Sequence, residues 1–259
     1  MTVDQLKIID KHTSAKNRKK HIDGLNETFK VFNINTCLRK IHFLAQVIHE
    51  SAHLRATKEY DGANASYAPY FGRGLMQLTH KGNYKSYGSY IGIDVHSTNS
   101  NRKKLESDPH AAKSAGWYWS IKAKLNDEAD SNDLLAVTYK VNGGFNGFKD
   151  RLRILKNSIK LFNLEDSVSS TFSFENSWIY NKYKPSLAWG MWHDSGSNKY
   201  KSKYCDASNA EAKKGYKRFL KIIKDESITF PQTKSNGKTR YFYGHSNPKT
   251  YAEERLKVL

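Results

Sequence analysis

The 259-residue chain carries 43 basic and 25 acidic side chains, a formal charge of +18, with 38% apolar residues and a mean hydropathy of −0.76. Sixteen Tyr, twelve Phe and five Trp exclude a disordered chain, which would be poor in aromatics, and two cysteines exclude a disulfide framework. The charge is spread, with 26 basic and 16 acidic residues over positions 1–165 and 17 and 9 over 166–259, so the chain as a whole attracts polyanions: nucleic acid, anionic membrane or the acidic bacterial wall.

In chain order, Val3, Leu6, Ile8 and Ile9 predict a short first helix, and a basic polar stretch follows over residues 11–20. A second helix is expected over 21–32, with Leu25, Phe29 and Phe32 on one face. Asn33-Ile34-Asn35-Thr36 then supplies capping residues. The strongest periodic segment comes next: Leu38, Ile41, Leu44, Ala45, Ile48 and Ala52 follow the i, i+3, i+4, i+7 spacing of a core-facing helix. Cys37 on that helix is expected to be a buried free thiol. Residues 55–75, rich in Gly, Asn, Ser, Pro and Tyr, read as loop or a small β-hairpin. Helical character returns over 107–124, with Asp108-Pro109 placing Pro at the first helical position, and over 131–141 and 146–163. Asn142-Gly143-Gly144 interrupts the last two. After residue 165 the composition turns to Ser, Tyr, Trp and Lys with little period, and a helix is predicted over 208–225. The expected organisation is therefore a domain over 1–165 and a basic, aromatic C-terminal region over 166–259. No apolar stretch approaches the ~20 residues of a membrane span.

Two carboxylates stand out. Glu50 sits near the end of the apolar helix and Glu59 follows nine residues later in a polar loop. On one unbroken helix they would lie on opposite faces, ~13 Å apart along the axis. A helix that stops after about His53 and turns back lets them face each other across a cleft, as in inverting glycosidases, whose carboxyls stand about 6.5–9.5 Å apart. A carboxyl on the apolar wall of a cleft holds its proton more readily, which suits Glu50 to the acid and Glu59 to the base. The same stretch, His49-Glu50-Ser51-Ala52-His53, also reads as His-Glu-x-x-His, two zinc ligands on one helical face with Glu as base. The extended form of that motif fails, because Ala56 and Glu59 stand where Gly and His are required, and a catalytic zinc needs a third protein ligand. Downstream, Gly72-Arg73-Gly74 allows a tight backbone, and Gln77, Thr79 and Asn83 offer amide and hydroxyl groups suited to N-acetyl sugars. The plain reading of this cluster is a turn leading into a regular element.

The ordered set resembles glycoside hydrolase family 19, the plant-type chitinases and the related phage endolysins and wall-degrading effectors. It begins with Asn33-Ile34-Asn35-Thr36 and Phe43-Leu44-Ala45-Gln46-Val47-Ile48-His49-Glu50-Ser51. It continues through Gly72-Arg73-Gly74-Leu75-Met76-Gln77-Leu78-Thr79 and Asn83-Tyr84, and closes with Val141-Asn142-Gly143-Gly144 and Asp150-Arg151. The resemblance covers residues 3–163 and implies a mostly helical, lysozyme-like α+β fold, with a small hairpin or loop region lining a cleft. It implies Glu50 as acid, Glu59 as base and Thr79 as partner of Glu59 in holding the attacking water. Gln77, Asn83, Tyr84 and Asn142 would bind sugar. His49, Arg73 and Arg151 would support the site. His49 belongs to the family's His-Glu pattern, so the zinc motif reads as accidental. No metal or organic cofactor is implied. Only twelve residues separate Glu59 from Gly72, where family members often carry a longer insertion, and the C-terminal 95 or so residues match no part of the pattern.

Chitin is neutral, whereas peptidoglycan and its attached polymers carry acid groups. The positive charge therefore favours a muramidase-type lysozyme activity over chitinase. The expected partners are peptidoglycan glycan strands and anionic wall polymers, with no nucleic-acid module and no membrane insertion. The segment Met1–Leu6 lacks the charged start and apolar run of a secretory signal. Delivery through a phage pore or by a secretion machine is the corresponding expectation. An immunity partner is not readable. Trp178, Tyr180, Tyr183, Trp189 and Trp192 among lysines read either as a sugar-stacking surface or as a packing layer.

Overall fold

A computed structural model describes all 259 residues, Met1–Leu259. The chain forms two compact units, and the division is discontinuous: residues 1–132 with 150–170, and residues 133–149 with 171–259. A single cut near residue 165 misses the excursion of 133–149, whose Leu135, Ala136 and Phe145 are core residues of the second unit. Twelve α-helices dominate, with one two-stranded sheet.

In the first unit, α1 (Val3–Ile9) is held by a capping box in which Thr2 and Gln5 satisfy each other's backbone N–H groups. Helix α2 (Ala15–Val31) starts six residues earlier than the apolar period suggests. Ser14 caps it, accepting from Asn17 N at 3.2 Å, and its first turns bury polar groups, His21 meeting Asp108 at 2.6 Å. Hydropathy could not reveal that face. Helix α3 (Cys37–Glu50) is capped by Thr36 and buries every residue from Ile41 to Ile48. Phe43 stands edge-on to Phe29 and to the fully buried Trp119, at 5.9 and 5.5 Å between ring centroids, and this aromatic cluster lies in the core. Cys37 is exposed, contrary to expectation, because it occupies the first helical position before the buried face begins.

Residues 55–75 form a compact loop closed by isolated bridges, Lys58 to Arg73 and Arg73 to Leu78, and no hairpin of regular strands. Then come α4 (Lys81–Ile91), α5 (Asn99–Lys103) and α6 (His110–Trp117), which continues as a π-helical turn over Tyr118–Lys122. Pro109 stands just before α6 and not within it, and Asp108 Oδ1 accepts from Ala112 N at 3.1 Å. Helix α6 approaches α2 so closely that a Cβ on Gly116 would lie 2.4 Å from Thr28. Helix α7 (Asn126–Asp130) follows, after which the chain enters the second unit with α8 (Leu134–Asn142) and returns in α9 (Phe148–Leu161).

The second unit adds α10 (Tyr183–His193), α11 (Asn209–Asp225), the antiparallel pair β1 (Gln232–Thr233) and β2 (Thr239–Arg240), and α12 (Pro248–Val258). Gly190 and Gly215 let the backbones of α10 and α11 touch, since a Cβ on Gly215 would stand 2.2 Å from Gly190 N. Trp189 stacks on Phe174 at 5.5 Å and donates to Glu211 at 2.9 Å. Of the five aromatics singled out in this region, Trp189 and Trp192 are core and Tyr180 and Tyr183 pack against it; only Trp178 is exposed. They build a hydrophobic core of their own. No helix is long and apolar enough to cross a membrane.

Candidate active site

Helix α3 ends at Glu50. Ser51 caps it, its backbone N–H reaching Val47 O at 3.0 Å while its hydroxyl donates to the same carbonyl at 2.6 Å and accepts from Leu54 N at 3.0 Å. The next three residues, Ala52, His53 and Leu54, all take left-handed backbone angles, with φ of 49°, 62° and 58°. None is glycine, and each such residue costs ~1–2 kcal/mol. Burial of Leu54 offsets part of that cost. The result is a sharp reversal directly after Glu50, so His53 is no longer on the helix. His49 and His53 turn to different carboxylates, Asp150 and Asp10, each at 2.8 Å. The one-face geometry a His-Glu-x-x-His zinc site requires is therefore not formed.

The sequence reading placed Glu50 against an apolar wall, but its immediate setting is ionic. The fully buried Arg151 guanidinium, from α9, donates to Glu50 Oε1 and to Gln46 Oε1. Glu50 keeps a quarter of its side chain exposed. Around this pair, Arg153 joins Asp150 at 2.7 Å to Asp10 at 2.9 Å. Burial opposes ionisation of Asp150, but hydrogen bonds from His49 and Arg153 outweigh it and hold its carboxyl well below the usual carboxylate range. Asp10 behaves alike: burial works against Thr13, Arg153 and His53, and the hydrogen bonds prevail. Tyr118, on the π-helical turn, has its phenol pushed up by burial and, next, by the negative charge of Glu50.

Glu59 is pinned through Gly72. Its N–H donates to Gly72 O at 2.8 Å, and its Oε2 accepts from Gly72 N at 2.7 Å. Tyr67 donates to Oε1 at 2.6 Å, and that bond is the leading cause of the rise in its own pKa. A Cβ on Gly72 would come within 2.8 Å of Gln77 Oε1 and 3.3 Å of Glu59 Oε2, so the amide and the carboxylate flank the same backbone atom. Gln77 has φ of 50° and donates to Gly74 O at 2.9 Å. The Thr79 hydroxyl donates to Gln77 O at 2.8 Å, which leaves its oxygen able to accept. Asn83 donates to Thr79 O at 2.7 Å and accepts from Lys122.

Arg73 lies buried beneath this loop. It pairs with Glu106 at 2.7 Å, donates to Pro69 O and to the Tyr84 hydroxyl, and stacks 3.6 Å from the centroid of Phe71. Tyr84 needs correction as a sugar-binding residue. It is fully buried, and its hydroxyl is used up between Arg73 and Phe71 O, so it supports the Gly72–Gly74 loop from below.

The first unit thus holds Glu50, Glu59, Gln77, Thr79, Asn83, His49, Arg73 and Arg151, whereas Asn142 belongs to the second, exposed at the end of α8. Tyr67, Tyr118, Lys122 and the Asp10–Arg153–Asp150 bridge were missed. Of these, Asp150 stands inside the Asp150-Arg151 motif and Arg153 lies two residues beyond it, charged on a helix that buries its apolar face; the others sit at no telling spacing from a motif.

No protein-family model matches the chain. A glycosyl hydrolase family 19 domain-containing protein of Haemophilus influenzae is 28% identical over 134 residues, which make up 51% of this chain and 63% of that protein. The chain thus spans less than two thirds of that relative's length. Chitinase C of Streptomyces griseus superposes with a TM-score of 0.51 at 22% identity, covering 62% of this chain and 76% of its own. A bacterial family 19 chitinase superposes with a TM-score of 0.54 at 20% identity, covering 66% and 97%. At these identities the two structures speak for the fold, and the fold is theirs. Motifs in family order, a related sequence and a common architecture together make the chain similar to glycoside hydrolase family 19 in sequence and in fold.

Proposed function

We propose that the chain hydrolyses β-1,4 bonds between N-acetylated amino sugars with inversion, with Glu50 as acid and Glu59 as base. The observation that carries this is the reversal after α3: Glu50 ends a rigid helix, and Glu59 is held on the returning loop by Gly72 and Tyr67. Arg151 occupies Oε1, which leaves Oε2 as the Glu50 oxygen that can hand a proton to the leaving oxygen. As the glycosidic bond lengthens, Glu59 takes a proton from a water that attacks the anomeric carbon from the opposite face, with the Thr79 oxygen as second acceptor for that water. Gln77 and Asn83 offer amides to the sugar, and Arg73 and Arg151 act as framework.

Peptidoglycan is the proposed substrate. The charge of +18 favours an acidic polymer over neutral chitin, and the structural relatives, being chitinases, make chitin the alternative. Purified protein should clear bacterial walls in the presence of chelator. Glu50→Gln should abolish clearing, a loss of about 10²–10⁴-fold for a general acid, while the protein stays folded. Full activity in that variant would end the reading. Mass spectrometry of the digest names the bond, since a muramidase leaves new N-acetylmuramic acid reducing ends and a chitinase-type cut leaves N-acetylglucosamine.

A further inference from the structure

The second unit contains a concave site of about 320 Å³, within the range of small-ligand pockets, of whose lining only Asn142 belongs to the sugar-binding residues that the family resemblance implies. Its floor is the stop of α8. Gly143 takes the left-handed φ of 74° that ends the helix, and Gly144 lies so close to Trp192 that a Cβ would stand 2.6 Å from the indole. Trp192 donates to Asn146 Oδ1 at 3.1 Å and meets Tyr243 edge-on at 5.4 Å, while the Tyr243 hydroxyl donates to Gly143 O at 3.0 Å. These bonds fix the floor. Half-buried Tyr204 and Tyr243 line it with Asn142 and Asn198, which contribute exposed amides.

Lys199 and Lys201 complete the lining, and neither has a carboxylate partner. No Asp or Glu lines the site. Aromatic rings suit the apolar faces of a pyranose, exposed amide N–H groups suit the carbonyl of an N-acetyl group, and two unneutralised ammonium groups suit an anion. Only Asn142, Gly143 and Gly144 come from the stretch that resembles family 19. The two lysines and three aromatics come from residues 192–243, where the resemblance does not reach.

We propose that this pocket binds an N-acetylated sugar bearing a carboxylate, with Lys199 and Lys201 on the carboxylate, so that the second unit recognises the muramyl residues of peptidoglycan. The inference deepens the proposed function and rests on it for the substrate class. Lysines beside aromatics also suit single-stranded nucleic acid, but such sites run along a groove that tracks a backbone. This one is a single small recess with amides on its rim.

The test uses the full chain carrying Glu50→Gln, so that oligosaccharides survive, titrated by calorimetry with a tetrasaccharide of alternating N-acetylglucosamine and N-acetylmuramic acid and with chitotetraose. Adding Lys199→Gln and Lys201→Gln should weaken the muramyl tetrasaccharide by about tenfold and leave chitotetraose within about twofold. Raising salt from about 50 to about 300 mM should weaken only the first ligand. Equal affinity for the two oligomers, or no response to the lysine substitutions, overturns the proposal, as does a single-stranded oligonucleotide that displaces the muramyl ligand. Hydrolysis by the unsubstituted chain separates the two readings. A chain that cleaves either oligomer without discriminating the carboxylate loses this inference alone. One that cleaves neither loses the glycosidase reading, while lysine-dependent binding would still uphold the pocket.

Discussion

Gly72 is the position where a single methyl group should separate site geometry from stability. Its backbone has no left-handed angle, so alanine meets no conformational barrier there. The added Cβ would instead stand 2.8 Å from Gln77 Oε1, 3.1 Å from Gln77 Cβ and 3.3 Å from Glu59 Oε2. The terminal oxygen can rotate away, but the Cβ–Cβ contact must open by a few tenths of an ångström. Overpacking costs about 1–3 kcal/mol, and because Gln77 is half-exposed and free to move outward, the lower end applies, about 1 kcal/mol. For a chain of this size that lowers Tm by about 2–4 °C. Catalysis is more sensitive, because displacement of a catalytic group by 1 Å costs about 10²-fold and a few tenths about fivefold. Gly72→Ala should therefore lose about 80% of kcat on a soluble oligosaccharide while Tm falls by only about 2–4 °C. Gly82→Ala is the control: nothing lies within 4 Å of its Cβ, and a helical Gly→Ala change should raise stability by up to about 1 kcal/mol with kcat unaltered. Wild-type kcat in Gly72→Ala would refute the idea that Gly72 spaces Glu59 from Gln77, and a drop in Tm beyond about 8 °C would show a global packing role.

Tyr84→Phe leaves Phe71 O and an Arg73 N–H without their partner, at about 1–2 kcal/mol, so scanning calorimetry should show a lower Tm while KM stays put. A raised KM at unchanged Tm would restore the sugar-binding role. Asp10 and Asp150 have lowered pKa values, so the stability they contribute is complete above the ordinary aspartate value near ~4 and is lost as pH falls below it. Tm should fall steeply below about pH 4, and Asp150→Asn should flatten that fall; an unchanged slope would mean that the Arg153 bridge does not carry it. Among the two thiols, Cys37 is exposed, while burial pushes Cys205 up to about 12. A thiol reagent at neutral pH should label one cysteine in the native protein and two after denaturation, and labelling of Cys205 in the native state would place it elsewhere.

Most of the first unit was readable because its strongest signal is local. The apolar stripe of α3 fixes which way the helix faces and ends at Glu50, and Thr36 marks its start. Where reading failed, the reason is that the decisive partner lies far along the chain. Helix α10 has no amphipathic period because every residue from Pro185 to His193 is buried, so its sequence resembles irregular chain. Tyr84 was taken with its neighbour Asn83, yet adjacent positions on a helix point about 100° apart, and only one of the two can face the site. Arg151 lies about a hundred residues beyond Glu50, so the local sequence sets Glu50 against an apolar wall and does not show that a guanidinium is its neighbour. The left-handed run after Glu50 has no glycine to announce it.

The backbone passes between the two units three times, at 132/133, 149/150 and 170/171, which limits how this protein can be cut or recombined. A fragment ending near residue 165 keeps every proposed catalytic group but strands Leu135 and Phe145 without the aromatic cluster that shelters them. Such a piece should expose enough greasy surface to bind a hydrophobic dye and to aggregate. The second unit is thus no detachable targeting tail, and exchanging it among enzymes would require grafting two separate stretches of chain at once.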